Sequence, residues 1–305
     1  MTTTIAPDIN LGYLKTVGIV NNGFNGRGFA NPVDMAISED NRIFVLNRCD
    51  PARRTAIRVG ICNLEEEYLG EFGNGYGDKD GQFVQPTCMA FDTQNLLHIT
   101  DEYNNRISVF DSSGDYISTW GMPGRGEGKM NGPAGISFDS QGYAYVVNQR
   151  EDRVQKFTSN GAFVLGWGEK GSGAGQFNMP WGLTLDKNDN VYIADWRNDR
   201  VQKFTSEGQF VASFGEPGGS DGRFHRPSDV AVDDEGQIYV SDWGNERVQI
   251  IGGGGKFLAK LQGEATLSKW AEDFFASNPD EQVERDKSDL IPDLPPHLRS
   301  PYHTS

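Results

Sequence analysis

The stretch "GQFNMPWGLTLDKNDNVYIADWRNDRVQKF", residues 175–204, holds three short apolar runs, "GLTLD", "VYIAD" and "RVQKF", broken by "KNDN" and "WRND". Apolar residues alternate with polar ones inside each run, which is the period of a β-strand, and Asn, Asp and Gly between runs supply turn chemistry. A fourth run, "FVASFG" at 210–215, follows the turn "TSEGQ". The unit is therefore four short antiparallel strands.

Outward from this stretch the unit recurs. Pro86, Pro133, Pro180 and Pro227 are each 47 residues apart, and so are Asp92, Asp139, Asp186 and Asp233, and Arg106, Arg153, Arg200 and Arg247. Pro32 precedes Pro86 by 54, and most of the excess lies in "NRCDPARRTAIR", where Asn47 to Arg58 spans 11 positions against 5 from Asp101 to Arg106. Four strands in about 45 residues is the content of a β-propeller blade, whose two faces are buried against neighbouring blades. The spacing predicts an all-β propeller over residues 11–263.

The blade count rests on two tallies. Inner strands begin around Met35, Met89, Ile136, Leu183 and Val230, which makes five, whereas closing strands number six: 13–17, 68–72, 116–120, 163–167, 210–214 and 257–261. "YLKTVG" at 13–18 has the look of a closing strand, with Tyr13, Val17 and Gly18 spaced as in "YISTWG" at 116–121. The expectation is a six-bladed ring: five complete blades, plus an N-terminal strand fastening a sixth whose other strands would follow residue 305. A five-bladed ring with that strand elsewhere is the alternative, but it would leave an exposed apolar edge of the kind proteins avoid.

The wording of the repeat resembles the NHL-repeat family of β-propellers, commonly six-bladed. The element D-x-x-N-x-R carries the resemblance, as "DEYNNR", "DWRNDR" and "DWGNER", with "NQREDR" a weaker copy. Its recurrence argues for structure rather than catalysis, since an Asp ending one strand and an Arg beginning the next make a charge-assisted bond across the turn. More distantly the chain is similar to peptidyl-hydroxyglycine amidating lyases, which use zinc held by several histidines. His98, His225, His297 and His303 do not occupy matching strand positions, so no metal and no cofactor are expected.

Residues 264–305 break the period. Leu267, Trp270, Ala271, Phe274 and Phe275 mark one face of a short helix, with Ser268 as cap and Asn278-Pro279 as stop, ahead of a charged stretch that allows a second helix and a proline-rich end. This segment reads as a helix packed on the ring or a lid over one mouth of the channel.

Composition narrows the partners. A net charge of −15 with pI near 4.7 opposes a general attraction to nucleic acid or anionic membrane surfaces. No run of about 18 apolar residues and no secretory leader pattern is present, and Cys49, Cys62 and Cys88 show no C-x-x-C spacing. A cytoplasmic protein with free thiols is the expectation. Among animal NHL domains some recognise RNA, but that needs a strongly basic mouth, and the repeats here are rich in Asp and Glu.

Departures from the repeat locate a candidate site. The first residue after the second strand is Arg48, Glu102, Gln149, Trp196 and Trp243 in successive blades, and the residues after the repeat proline are Val33-Asp34, Thr87-Cys88, Ala134-Gly135, Trp181-Gly182 and Ser228-Asp229. Both sets face one mouth. Trp181, Trp196 and Trp243 could stack a planar or sugar-like ligand, and Arg48, Arg53 and Arg54 could hold a carboxylate or phosphate. Asp34 and Asp229 complete the set.

Two functions follow. One is a recognition scaffold binding a protein, peptide or small anionic ligand at the mouth. The other is a lyase or hydrolase in the same place, with Arg48 or Arg54 on a substrate carboxylate and Asp34, Asp229 or His225 moving protons.

Overall fold

In each blade the chain turns where a carboxylate can hold it. Asp92, Asp139, Asp186 and Asp233, the residues of the 47-residue period, each follow an inner strand, and one carboxylate oxygen of each accepts two amides of its own turn. For Asp186 these come from Asn188 (2.9 Å) and Asn190 (3.0 Å), and for Asp233 from Glu235 (3.1 Å) and Gln237 (2.7 Å). The other oxygen takes a phenol from the next strand: Tyr145 on Asp139 (3.0 Å), Tyr192 on Asp186 (3.2 Å) and Tyr239 on Asp233 (3.1 Å). In the second blade His98 stands in for the tyrosine, its Nε2 3.1 Å from Asp92. It is a packing variant, as its position in the repeat indicates.

The computed structural model describes residues 14–18, 28–48, 57–73, 75–262 and 268–287. They form five four-stranded antiparallel sheets. Blade 1 is β1 (Pro32–Ile37), β2 (Ile43–Asn47), β3 (Arg58–Cys62) and β4 (Tyr68–Phe72), and blade 2 is β5 (Pro86–Phe91), β6 (Leu97–Asp101), β7 (Arg106–Phe110) and β8 (Tyr116–Trp120). Blade 3 is β9 (Pro133–Phe138), β10 (Ala144–Asn148), β11 (Arg153–Phe157) and β12 (Phe163–Trp167). Blade 4 is β13 (Pro180–Leu185), β14 (Val191–Asp195), β15 (Arg200–Phe204) and β16 (Phe210–Phe214), and blade 5 is β17 (Pro227–Val232), β18 (Ile238–Asp242), β19 (Arg247–Ile251) and β20 (Phe257–Leu261). Two helices follow, α1 (Lys269–Ser277) and α2 (Pro279–Lys287).

The core lies between blades. Tyr192, Val201 and Phe214 of blade 4 meet Val230, Ile238, Val240 and Ile251 of blade 5 in one buried cluster. Phe83, Phe177 and Phe224, each three residues before a repeat proline, are fully buried between successive blades, and each contributes about 2 kcal/mol through burial.

The Asp of D-x-x-N-x-R knots each blade to the loop before it. Asp195, itself inaccessible to solvent, accepts from the Asn178 amide (2.8 Å), Asn198 Nδ2 (2.9 Å), Arg200 Nε (2.9 Å) and Gln202 Nε2 (3.1 Å). Asp242 does the same with His225, Asn245, Arg247 and Gln249. In blade 3 the position is Asn148, whose Nδ2 donates to the Lys129 carbonyl at 2.8 Å; Arg153 Nε has no hydrogen-bond partner there, and neither has Arg106 Nε in blade 2, where the position is Asp101.

The five complete blades form as expected, and the expected six-bladed ring is corrected, since no sixth blade is evident among the described residues. Residues 14–18 are not strand, because a closing strand needs a third strand beside it, and none stands there among the described residues. Inner strands pack in series, β1 on β5, β5 on β9, β9 on β13 and β13 on β17, but β17 makes no comparable contact with β1. At this seam Met35 is 65 % exposed, whereas its counterparts Met89, Ile136, Leu183 and Val230 are 2–4 % exposed.

Candidate functional site

The loops between second and third strands and the connections between blades emerge at the same end of the ring, since each repeat proline pairs with the end of the second strand: Pro86 with Asp101, Pro180 with Asp195, Pro227 with Asp242. The first residues of those loops form an arc around the mouth. Arg48 Nη2 donates to Glu102 at 2.8 Å, and Gln149 Nε2 donates to the other oxygen of the same buried carboxylate. The remaining two positions are aromatic, Trp196 and Trp243, with ring centroids 6.5 Å apart.

Half the mouth is thus a satisfied polar chain, and half is an aromatic surface. Trp181, at the start of β13, extends that surface, its ring 6.1 Å from Trp196. Trp243 is 59 % exposed. One-turn 3-10 helices, Trp196–Asn198 and Trp243–Asn245, present the two loop tryptophans, each preceded by the knotting aspartate. Guanidinium groups flank the surface: Arg197 lies 5.4 Å and Arg226 5.2 Å from the Trp196 ring. These two arginines were not singled out from sequence, although Arg197 directly follows Trp196 in the same loop.

Below the tryptophans, the second residue after each repeat proline lines the channel as Asp34, Cys88, Gly135, Gly182 and Asp229. The glycine at 182 is required by close approach, since a Cβ there would fall 2.1 Å from Asp229 Oδ1. Asp34 accepts the Met35 amide at 2.8 Å and the Met89 amide at 2.6 Å, tying blade 1 to blade 2. Enclosure by the inner strands pushes the Asp34 carboxyl up to about 6 against bonds from Cys88 and these amides. Enclosure and then the charge of Asp34 push Asp229 up to about 7. Water still reaches Asp229 along the channel, so it is surrounded by protein without being dry. Burial, followed by the charges of Asp34 and Asp229, holds the Cys88 thiol well above its usual range.

Of the residues expected at the mouth, the structure brings together Trp181, Trp196 and Trp243, and below them Asp34 and Asp229. Arg48 is at the mouth but is paired with Glu102. Arg53 and Arg54 lie outside the described residues. His225 stands on the rim, its Nδ1 3.7 Å from Asp199, and no group of three or more His, Cys, Asp or Glu side chains among the described residues could hold a metal ion.

Comparison with known proteins bears on the fold. Residues 177–204 and 224–251, in blades 4 and 5, match the NHL repeat. No curated protein matches the chain. Among solved structures, a streptogramin B lyase is similar at 13 % identity and a TM-score of 0.56, over 79 % of this chain and 70 % of that one. A catalytically inactive virginiamycin B lyase from Staphylococcus aureus with quinupristin has 13 % identity and a TM-score of 0.56 over 83 % of this chain and 73 % of that one. The nidogen/laminin complex gives 16 % identity and 0.55 over 75 % and 79 %. At such identities the likeness establishes a β-propeller fold and nothing about activity, and the NHL match to two of its repeats supports a propeller of NHL type. The relation to amidating lyases gains no support. No described helix is long and apolar enough to cross a membrane.

Proposed function

We propose that this protein is a recognition scaffold that binds a peptide, a protein segment or a small anionic ligand at the aromatic half of the channel mouth. The observation that carries the reading is the continuous surface of Trp181, Trp196 and Trp243 with Arg197 and Arg226 at its edge. Tryptophan faces hold a planar or apolar group, and a guanidinium fork beside them takes a carboxylate or phosphate. Arg197 and Arg226 join Arg53 and Arg54 as the anion-binding candidates, whereas Arg48 is neutralised by Glu102. The free thiols of Cys62 and Cys88 fit a reducing, cytoplasmic setting.

The test is a screen of carboxylate- and phosphate-bearing peptides and small molecules by tryptophan fluorescence. Any binder should lose at least about tenfold in affinity, near 1.4 kcal/mol, in Trp243→Ala and in the double variant Arg197→Ala with Arg226→Ala. Arg48→Ala should bind normally. A binder indifferent to both aromatic and arginine changes would place recognition elsewhere and overturn the reading.

A second reading, a lyase or hydrolase in the same mouth, draws on the raised carboxyls of Asp34 and Asp229, pushed up to about 6 and about 7, which sets Asp229 near the pH at which a general acid works and leaves Asp34 the more ionised of the two. It requires turnover of a mouth ligand that Asp229→Asn abolishes without abolishing binding.

A further inference from the structure

We infer that α1 is the clasp of the ring: it fastens the seam between blade 5 and blade 1, and Trp270 is its pin. The helix leaves the outer strand of blade 5, since only residues 262–267 separate Leu261 of β20 from the capping Ser268. Its contacts, however, are with blade 1 and with the segment leading into it.

Every contact at the start of α1 points that way. Ser268 Oγ accepts the Ala271 amide at 3.2 Å and donates to the carbonyl of Gly18, 250 residues earlier in the chain. The Lys269 amide donates to Glu66 Oε2 at 2.7 Å, and Trp270 Nε1 donates to the Glu66 carbonyl. A carboxylate is favoured at a helix N-terminus, where unpaired amides carry partial positive charge. The indole is only 4 % exposed, wedged against Phe29 (centroids 5.8 Å apart) and Tyr68 (6.5 Å). Glu66 itself adopts a left-handed conformation, φ 62°, a cost of about 1 kcal/mol that these bonds offset.

Phe29 occupies the place held between other blades by Phe83, Phe177 and Phe224, which the next blade buries completely. At the seam the cover comes from Trp270 instead. A helix thus supplies, for the outer part of the junction, what a blade face supplies elsewhere, and the inner part keeps Val33, Met35 and Ile37 exposed. Helix and blade 1 are docked while the chain ties the helix to blade 5, so while Trp270 is seated the two ends of the ring can part no further than six residues reach, about 20 Å.

The experiment is hydrogen exchange on the full chain with Trp270→Ala. The clasp predicts exchange faster by about tenfold or more both in β1–β4 and in β17–β20, which begins 195 residues after β1 in sequence, with β9–β12 unchanged. Acceleration confined to blade 1 would show local packing only and overturn the inference, as would no acceleration. Should Trp270→Ala not fold, Trp270→Phe keeps a ring in place and removes only the bond to Glu66. The same two-blade pattern, in smaller degree, then decides for the clasp, and its absence decides against it.

Discussion

Gly18 stands against Phe29 as Gly215 stands against Phe224: a Cβ would lie 2.3 Å from the ring in the first case and 2.2 Å in the second, with φ +101° and +85°. The segment leading into blade 1 is therefore built like the junction leading into blade 5, although no strand partners it among the described residues.

This relation makes Gly215→Ala a severe change. The methyl would meet a fully buried ring in a backbone region that disfavours side chains, and urea denaturation should show a loss of about 3 kcal/mol. A loss under about 1 kcal/mol would mean that Phe224 can move aside.

Asn148→Asp should destabilise the protein by about 1 kcal/mol. It replaces the Nδ2 donor that binds the Lys129 carbonyl at 2.8 Å by a carboxylate oxygen facing that carbonyl, and an aspartate alone does not engage the arginine, since Arg106 Nε has no partner although Asp101 stands at this position in blade 2. Thermal denaturation of the variant beside wild type checks it.

Removing the knot should cost more. Asp242→Ala strands Arg247, Asn245, Gln249 and the His225 amide together, and breaking a buried pair in this way costs about 3–5 kcal/mol. Chemical denaturation measures the loss, and the Trp243 loop should become sensitive to protease.

In the channel, Asp229 keeps its proton up to about pH 7, against 3.8 for an ordinary aspartate. The unfolded chain gives up that proton first, so this group's contribution to stability falls as pH rises from about 4 to 7 and is constant beyond. Asp229→Asn removes the dependence. Its stability relative to wild type should be smallest near pH 3.5 and should grow to a plateau by pH 8, in a series of denaturation curves.

Trp243→Ala should be nearly silent in stability, within about 0.5 kcal/mol, because more than half of the side chain faces solvent. Differential scanning calorimetry separates this from the binding loss expected of the same variant.

The strand framework was legible because the 47-residue period carries turn and knot chemistry in every copy: β8, β12, β16 and β20 fall where the spacing places closing strands. The helix at 269–277 was legible too, from Ser268 and its apolar face. What covers the seam was not, because the anchor of Trp270 is the main chain of Glu66, a contact no pattern records. The five complete blades were legible from the inner strands, whereas residues 14–18 read as a closing strand and are not one, since a strand needs its neighbour as well as its own alternation. The tryptophans of the mouth could be placed by register alone. The quenching of Arg48 by Glu102 is a cross-blade relation between equal positions of two repeats, visible only once the blades are set side by side.

The arc of Arg48, Glu102, Gln149, Trp196 and Trp243 has a consequence for inheritance. Blades 4 and 5 are held by the aspartate just before this position and the arginine a few residues after it, so the position itself is spared from holding the fold. These two slots act as dials whose settings change one at a time, while Arg48, Glu102 and Gln149 are tied to one another and change together, and a chain that keeps its knots can acquire a new ligand by rewriting the tryptophan slots while its blades stay the same.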